Sequence, residues 1–337
     1  MFSAFFLEEK FPNLTDDESL QKWNSFFSSC VNPNIFSIYE WGKYKENNWK
    51  VERILFYNKE TFVGMTQILF KSIGPLKFGW CSSGINLTNY KYLPEIIEAL
   101  KSKYDFKKTV IRFNFLDPAT GEIQFEFDGI EALKAVPVSV NSGYTIRYNL
   151  DENPPKIPAD FSKNNRYYLK QSKENLFNFS VSSLDPKEYV SIHNQMVENK
   201  GLANLAVTEE SIALLLRVYG EKIKMIKVYK DEKCYSAALI IMVNKIAYYY
   251  LAGSTEEGRE KSASFFMIEQ LLQYLTENKF TEFDFGGITP FKESAKGVNR
   301  FKLGFGGKVI HYVGERNLCD NPVLSWFFNL IIVKKLG

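Results

Sequence analysis

Two stretches of the chain carry the same pattern of apolar and polar positions. Residues 54–70, ILFYNKETFVGMTQILF, align without gaps on residues 226–242, IKVYKDEKCYSAALIIM. In each, an apolar run ends at a tyrosine (Tyr57 or Tyr229), a polar turn follows, and small residues precede a second apolar run. Strand-length apolar runs on either side of a short polar turn predict a β-hairpin in both places.

The segments that follow each hairpin also correspond in order. Each hairpin is followed by a strand, a helix and another strand, at 77–84, 94–104 and 109–115 in the first copy and at 245–253, 264–278 and 281–287 in the second. Two hairpins could match by chance, because strands and turns use few residue types. Five elements in the same order favour an internal duplication instead. We therefore expect two α/β domains of similar fold, joined near Asn153, Pro154 and Pro155.

Composition agrees with two globular domains. The 337 residues suggest about two domains, and 45% hydrophobic with 24% charged residues argues against disorder and fibrous repeats. The net charge of +3 is too small for a dedicated nucleic-acid binder, although a local basic groove stays open. The aromatic content of 16% exceeds what one core needs, and it predicts either two cores or a stacking groove.

Other residue types exclude several kinds of site. Four widely spaced cysteines fit neither a disulfide framework nor a CxxC metal site, so we expect reduced thiols. Two histidines exclude a His-rich metal site, and a nucleophilic dyad would have to use His193 or His311. The N-terminus lacks the basic region of a signal peptide. The longest apolar stretch, 323–333, is too short to span a bilayer, so we expect a cytoplasmic protein.

The segment FDFGGITPFKESAKGVNRFKLGFGGKVIHYVGE (283–315) resembles the C-terminal signature of the FemABX peptidoglycan-bridge aminoacyltransferases and their wider kin. The shared pattern is Asp-Phe-Gly-Gly, a variable loop, and then Gly-x-x-Arg-Phe-Lys-x-x-Phe-Gly-Gly. Two upstream segments, IYEWGKYKENNW (38–49) and SKNNRYYLKQSKEN (162–175), resemble the family's aromatic motif and its basic interdomain helix. The coiled-coil insertion of some members has no counterpart here, because no stretch sustains heptads.

The resemblance implies an α/β (α+β) fold of two tandem acetyltransferase-like (GNAT) domains, with mixed β-sheets flanked by helices. The first would comprise residues 1–150 together with 316–337, and the second residues 151–315. The implied activity is acyl transfer, in which an amine attacks an aminoacyl-tRNA ester or an acyl-CoA thioester used as co-substrate. No permanently bound cofactor or metal is implied.

The implied acceptor is an amino group of a cell-envelope precursor, such as a nucleotide- or lipid-linked muropeptide. One alternative is a CoA-dependent N- or O-acyltransferase that acts on an amino sugar or a surface polysaccharide. The other is a non-catalytic double-domain binding protein. Composition does not decide between these alternatives or reveal the oligomeric state.

Lys302 and Asp284 are the candidate catalytic residues. The family position that matches Lys302 has been assigned a catalytic role, and its ammonium could stabilise a tetrahedral oxyanion or a substrate phosphate. The alternative is a solvated strand lysine. Asp284 lies in a predicted strand, where a charge needs a partner. It could orient Arg300 or Lys302, accept a proton from the attacking amine, or form a structural salt bridge.

Further candidates would bind the substrates. Arg300 and Lys45 suit a diphosphate, Lys200 matches a basic position that some family members use for it, and aromatic side chains would line the acceptor cleft. The aromatic candidates are Trp41, Tyr250 and Phe301. Gly258 and Arg259 lie where acetyltransferases place their pyrophosphate loop, but their spacing departs from the usual motif. A capping loop with Ser262 or Ser264 is the alternative.

The C-terminal segment NPVLSWFFNLIIVKKLG is aromatic and aliphatic with two lysines near its end. We expect a helix that docks on the first domain, because related chains return there. The alternative is an interfacial anchor that places the enzyme near a lipid-linked acceptor at the inner face of the membrane.

Overall fold

The computed structural model of the chain describes residues 2–151, 157–199, 201 and 205–336. It divides into two compact units, Met1–Gly143 with His311–Gly337 (unit 1) and Tyr144–Ile310 (unit 2). The sequence placed these boundaries after residues 150 and 315. They lie earlier because residues 144–149 pair within the unit 2 sheet and the chain pairs with a unit 1 strand again from Tyr312. The joint expected at residues 153–155 lies outside the described residues.

Strands and helices are numbered in chain order. The strands are β1 (Phe2–Phe6), β2 (Lys50–Asn58), β3 (Thr61–Ile73), β4 (Leu76–Cys81), β5 (Asn86–Leu87), β6 (Thr109–Pro118), β7 (Leu133–Ala135), β8 (Tyr144–Asn149), β9 (Asn178–Ser183), β10 (Ile223–Lys230), β11 (Lys233–Val243), β12 (Ile246–Ser254), β13 (Glu282–Gly287) and β14 (Lys308–Leu318). The α-helices are α1 (Leu7–Lys10), α2 (Asp16–Phe27), α3 (Tyr39–Lys45), α4 (Leu93–Lys103), α5 (Gly121–Asp128), α6 (Lys163–Lys173), α7 (Pro186–Asn199), α8 (Glu209–Tyr219), α9 (Glu256–Glu260), α10 (Ala263–Glu277), α11 (Lys296–Leu303) and α12 (Pro322–Leu336).

Each unit is built on a mixed sheet with helices packed against it. The strand order in unit 1 is β1-β2-β3-β4-β6-β14, with β5 beside β3 and β7 beside β14. The order in unit 2 is β8-β13-β12-β11-β10-β9. One pair in each sheet is parallel, β4 with β6 and β12 with β13, and a helix connects its strands. The predicted α/β fold with mixed sheets is confirmed.

Both predicted hairpins are present, as β2–β3 and β10–β11, and both contain a β-bulge at the same place. The register shifts between Phe56 and Tyr57 in the first hairpin and between Val228 and Tyr229 in the second. These positions match in the ungapped alignment of the two stretches. Because alternating apolar and polar residues do not by themselves call for a bulge, the shared bulge is a structural observation that supports an internal duplication.

The predicted helices 94–104 and 264–278 are α4 and α10. Each presents its apolar residues at helical spacing to its own sheet, which is why the periodic pattern identified it. The large apolar residues that become buried are Leu93, Ile96, Ile97 and Leu100 in α4, and Met267, Ile268, Leu271, Leu272 and Leu275 in α10.

The aromatic excess fills two separate cores. Unit 1 buries Phe56, Phe113, Phe115 and Phe127, and unit 2 buries Phe161, Phe283, Phe285 and Phe305. All four cysteines are free thiols, as the sequence predicted. Within the described part of the chain, no helix is both long enough and apolar enough to cross a bilayer.

Candidate active site

The two parallel strands of unit 2 separate at their carboxyl ends. β12 pairs with β13 only from Ile246 to Tyr248, opposite Glu282–Asp284. Beyond Asp284 the ladder from β13 to β8 shifts register before Gly287. Gly286 has φ +72°, a backbone conformation that favours glycine. Because ligands of α/β sheets bind at the carboxyl ends of parallel strands, the Asp-Phe-Gly-Gly segment forms a bend at the expected edge.

Asp284 holds this bend. It is 4% exposed, and its Oδ1 accepts hydrogen bonds from the Thr145 hydroxyl at 2.6 Å and the Gly286 amide at 2.7 Å. Arg147 Nε lies 3.5 Å from Oδ2. The ion-pair partner of Asp284 is therefore Arg147, whereas Arg300 is exposed and forms no ion pair among the described residues. A role for Asp284 as a proton acceptor stays a prediction.

Lys302 lies beside the bend. One of the two sequence-based interpretations placed Lys302 on a strand. It lies instead in the last turn of helix α11, which begins at Lys296. Its Nζ donates to the Gly287 carbonyl at 2.9 Å, and this is its only hydrogen bond within the described residues. Burial lowers the pKa of Lys302 from 10.5 to about 8, and the nearby Asp284 carboxylate opposes that shift.

Helix α6 fixes the end of α11 that carries Lys302. The Asn165 amide group donates to the Phe301 carbonyl at 3.1 Å, and the Ser162 amide donates to the Gly304 carbonyl at 2.8 Å. Asn165 is 1% exposed. The buried amide therefore satisfies a helix-end carbonyl and anchors the turn from which Lys302 projects.

The aromatic candidates of unit 2 differ in their surroundings. Phe301 packs edge-on against Phe265 and Phe305, with ring centroids 5.1 and 4.9 Å away, so it belongs to the margin of the core. Tyr250 is half-buried and occupies the bulge of β12, between residues 249 and 251, which pair with Ile240 and Leu239. A bulge re-aims a side chain within a sheet. The substrate-binding roles of Phe301 and Tyr250 stay predictions.

The expected pyrophosphate loop is folded as the short helix α9. The Gly258 amide donates to the Thr255 hydroxyl at 3.0 Å, so Thr255 is the N-cap of this helix. A Cβ on Gly258 would lie 2.0 Å from the Tyr235 carbonyl oxygen, which explains the glycine by close packing. The Arg259 guanidinium donates to the Ser254 carbonyl. Ser262 occupies the N-cap position of α10 without a side-chain cap.

Trp41 and Lys45 form a separate cluster in unit 1. Trp41 is buried, and its Nε1 donates to Ser82 Oγ at 3.0 Å. Lys45 Nζ lies 4.4 Å from the centroid of the Trp41 ring and 4.7 Å from that of Tyr44, in cation–π geometry. Burial lowers the pKa of Lys45. Lys45 has no acidic partner among the described residues, so a phosphate could neutralise it.

Helix α3, which carries Trp41 and Lys45, is held by two buried side chains of β2 and β3. Arg53 donates to the Tyr39 carbonyl at 3.3 Å and to the Glu46 carboxylate at 3.1 Å. Gln67 donates to the Ile38 carbonyl and accepts from Arg53 Nε. The sheet thus sets the position of α3 through polar contacts.

The last two candidates are Lys200 and the C-terminal segment. Lys200 lies outside the described residues. The C-terminal segment forms α12, and its Leu324 and Phe328 pack against Phe78 and Val110 of unit 1. The expected docking on the first domain is therefore present.

Sequence reasoning missed three residues that shape the site, namely Thr145, Arg147 and Asn165. Thr145 and Arg147 lie on β8, which pairs with β13 although the two strands are far apart in the chain. The alternation in YTIRYN was a usable strand signal, but it does not name the pairing partner. Asn165 lies in the segment that resembles the family's basic interdomain helix, and its buried amide serves a structural purpose there.

Comparison with known proteins finds one family match and several structures of the same fold. Residues 187–332 match the FemAB family model. The structure of FemX aligns with a TM-score of 0.80 at 16% identity, covering 94% of this chain and 99% of that one. No curated protein sequence matches the chain.

Two other solved structures share the fold. L-PGS from Bacillus licheniformis aligns with a TM-score of 0.56 at 13% identity, covering 93% of this chain and 96% of that one. A tandem GNAT protein from the clavulanic acid biosynthesis pathway aligns with a TM-score of 0.53 at 11% identity, covering 94% and 97%. The predicted resemblance to FemABX and GNAT-related acyltransferases is confirmed.

Proposed function

We propose that this chain, a FemABX-like acyltransferase, transfers an aminoacyl group from aminoacyl-tRNA to an amino group of a cell-envelope precursor. The observation that carries the proposal is the Lys302 ammonium at the bend after β13. It is half-buried and hydrogen-bonded to the Gly287 carbonyl. A cation with no ion pair to any residue that the structure describes, at the open edge of a parallel strand pair, is suited to stabilise negative charge that develops on a substrate.

In the proposed reaction the neutral amine of the acceptor attacks the carbonyl carbon of the aminoacyl ester. The carbonyl oxygen becomes an oxyanion in the tetrahedral intermediate, and Lys302 stabilises it. The C–O bond to the tRNA ribose then breaks as the amide forms, and the proton lost by the amine ends on the ribose hydroxyl. With a pKa of about 8, Lys302 is mainly an ammonium at pH 7. It therefore acts as an electrostatic stabiliser and not as the base.

Helices α6 and α11 favour an RNA-linked donor. α6 (KNNRYYLKQSK) contains four basic residues and α11 (KGVNRFKL) three, and neither contains an acidic residue. The contacts of Asn165 and Ser162 bring the start of α6 to the end of α11, beside Lys302. Lys163, Lys170 and Arg300 are exposed and have no acidic partner among the described residues. Exposed cations without acids are typical of a phosphodiester-binding surface.

The alternative reading as a CoA-dependent acyltransferase has less support. A pyrophosphate loop needs free backbone N–H groups at a helix start, but the Gly258 amide already donates to the Thr255 hydroxyl that caps α9. The non-catalytic alternative requires Lys302 to be structural. A structural buried lysine would normally have a direct anionic partner, whereas the hydrogen bond of Lys302 goes to a backbone carbonyl.

For the acceptor we propose a nucleotide- or lipid-linked precursor whose phosphates contact Lys45. Lys45 is already fixed over the Trp41 ring, so little side-chain freedom is lost when an anion binds. Binding of a phosphate would replace the solvation that burial has removed from the ammonium.

The proposal is tested by incubating the protein with charged tRNAs, or with acyl-CoAs, beside a panel of envelope precursors and measuring the mass of the acceptor. We expect an aminoacyl mass increment with charged tRNA that is lost in Lys302→Met while folding is retained. Acyl transfer from acyl-CoA only, or undiminished turnover by Lys302→Met, would contradict the proposal.

The RNA surface has its own test. The double variant Lys163→Glu/Lys170→Glu should raise the Kd for tRNA. The slope of log binding constant against log salt concentration should become shallower by about two, because two phosphate contacts are lost. Lys187→Glu is the matched control, since Lys187 is also exposed but lies on α7. Equal effects of the double variant and the control would remove α6 from the proposal.

A further inference from the structure

Helix α12 has two apolar faces, of which docking covers one. Leu324 and Phe328 are 5% and 9% exposed and lie against unit 1, where the Phe328 and Phe78 rings stack at 5.3 Å. The Asn329 side chain accepts from Arg112, and Ser325 accepts from Asn317 at 3.1 Å. This face is fixed by both packing and hydrogen bonds.

The opposite face exposes a continuous apolar stripe. Val323, Trp326, Phe327 and Leu330 are 71%, 61%, 45% and 39% exposed. Their spacing of i, i+3, i+4 and i+7 confines them to an arc of about 100° on a helix with about 3.6 residues per turn. Single exposed apolar residues are ordinary, but a contiguous stripe marks an interaction surface.

Exposed lysines lie near the start of α12. At the start of α12, the Asn321 side chain donates to the Lys107 carbonyl, and the neighbouring Lys77 and Lys108 are exposed. Asp105 and Asp320 share this end, so three lysines face two aspartates there. After Leu330 the sequence continues to two further lysines, Lys334 and Lys335.

We propose that this face of α12 lies in the interface of an anionic lipid bilayer. Tryptophan and phenylalanine beside lysines suit the boundary between headgroups and acyl chains, where rings are buried and ammonium groups meet lipid phosphates. Docking on unit 1 and membrane contact are therefore not alternatives, because they use opposite faces of one helix. Membrane binding does not depend on the proposed function. Only the purpose of membrane binding, which is access to a lipid-linked acceptor, rests on the proposed function.

A second copy of the chain is the competing occupant. The four side chains together expose on the order of 400 Å². A stable interface buries about 800 Å² on each partner. The stripe is therefore too small for a stable dimer by itself, whereas an interfacial helix needs only to insert its rings.

The first experiment is flotation of the full chain with vesicles of phosphatidylcholine, with and without phosphatidylglycerol. We expect binding to the anionic vesicles that weakens as salt is raised, because the lysine contribution is screened. Trp326→Ser/Phe327→Ser should weaken it at least about tenfold, since burying one large apolar side chain is worth roughly that factor. Phe125→Ser is the matched control, because Phe125 is 78% exposed on α5 of the same unit, and it should not change binding.

The second experiment reports the depth of one ring. Trp326 is 61% exposed, whereas Trp23 and Trp41 are buried and Trp49 and Trp80 are half-buried. Lipids brominated on their acyl chains should quench part of the tryptophan fluorescence. Trp326→Phe should remove this quenching while flotation is retained, because an aromatic ring is still present.

Three outcomes would overturn the inference: no flotation with either vesicle, equal flotation of the serine double variant and wild type, or quenching that survives in Trp326→Phe. A concentration-dependent dimer that Trp326→Ser/Phe327→Ser dissociates, without vesicle binding, would assign the face to a second copy instead. Each of the two proposals can be overturned without the other. Aminoacyl transfer to a soluble precursor without flotation would overturn only the membrane inference, and flotation without transfer would overturn only the proposed function.

Discussion

Replacing Lys302 by methionine should lower activity and raise stability together. Methionine keeps the length of the apolar stem but carries no charge, so it removes the ammonium from the bend after β13. Loss of one donor to an oxyanion typically lowers kcat by about 10²–10³-fold. We expect a loss of that size in single-turnover aminoacyl transfer.

The stability gain follows from the shifted pKa. Burial lowers the pKa of Lys302 from 10.5 to about 8, so the folded state disfavours the charged form. Below pH 8 this pKa difference corresponds to at most about 3.5 kcal/mol, at about 1.4 kcal/mol per pH unit. Solvent reaches the half-buried side chain, so we expect a gain of about 1–2 kcal/mol in the variant. The gain should be full below pH 8 and should fade as pH rises toward 10.5, because wild-type Lys302 then loses its proton in both states.

Two measurements check this pair of effects. Chemical unfolding at pH 7 and at pH 10 gives the free energy of unfolding of wild type and variant, with Lys187→Met as an exposed control in the same unit. The pH profile of kcat/KM gives the second reading. In wild type it should fall above about pH 8, where Lys302 loses its charge. In Lys302→Arg the falling limb should disappear, since a guanidinium stays charged over the whole range.

The reasoning is refuted by a variant that loses stability as well as activity, because Lys302 would then be a structural residue. A falling limb that persists unchanged in Lys302→Arg would assign the ionisation to another group. Retained single-turnover transfer in Lys302→Met would remove Lys302 from the chemistry altogether.

Two other changes give sharp expectations. Lys45→Gln should raise the KM for a nucleotide-linked acceptor about tenfold with little change in kcat, because Lys45 is proposed to bind phosphate. Steady-state kinetics checks this beside the control Lys43→Gln, since Lys43 is paired with acidic residues on the surface. Equal KM values for the two variants would argue against the proposed role of Lys45. Gly258→Ala should destabilise unit 2 by about 2 kcal/mol or more, since its Cβ would collide with backbone. Gly297→Ala is the control, because a Cβ at this position on α11 would meet nothing within 4 Å, and it should stabilise the protein by up to about 1 kcal/mol. Thermal unfolding of both glycine variants measures the difference. Equal melting temperatures for the two would contradict the packing argument.

Local patterns predicted the regular elements well. The hairpins, α4 and α10 each combine a strict apolar period with turn or helix-end residues, so short-range information is sufficient to identify them. The same holds for the cores, because buried phenylalanines occur within these periodic segments.

Long-range pairing and helix ends were beyond such patterns. Arg147 reaches Asp284 because β8 pairs with β13, and no period of either strand encodes that partner. Lys302 was expected on a strand as one alternative, because NRFKL has no long apolar period. It is helical in the folded chain, where Asn165 of α6 donates to the Phe301 carbonyl at the end of α11. These tertiary contacts override a weak local preference.

The bulge shared by the β2–β3 and β10–β11 hairpins also bears on ancestry. An extra residue inserted independently in two hairpins would not be expected at matching positions in both. The simplest history is a single-domain ancestor that already contained the bulge before its gene was copied and fused. The two halves would then have diverged in their chemistry, one acquiring the lysine beside its bend and the other the tryptophan and lysine of α3, while both retained this inherited irregularity.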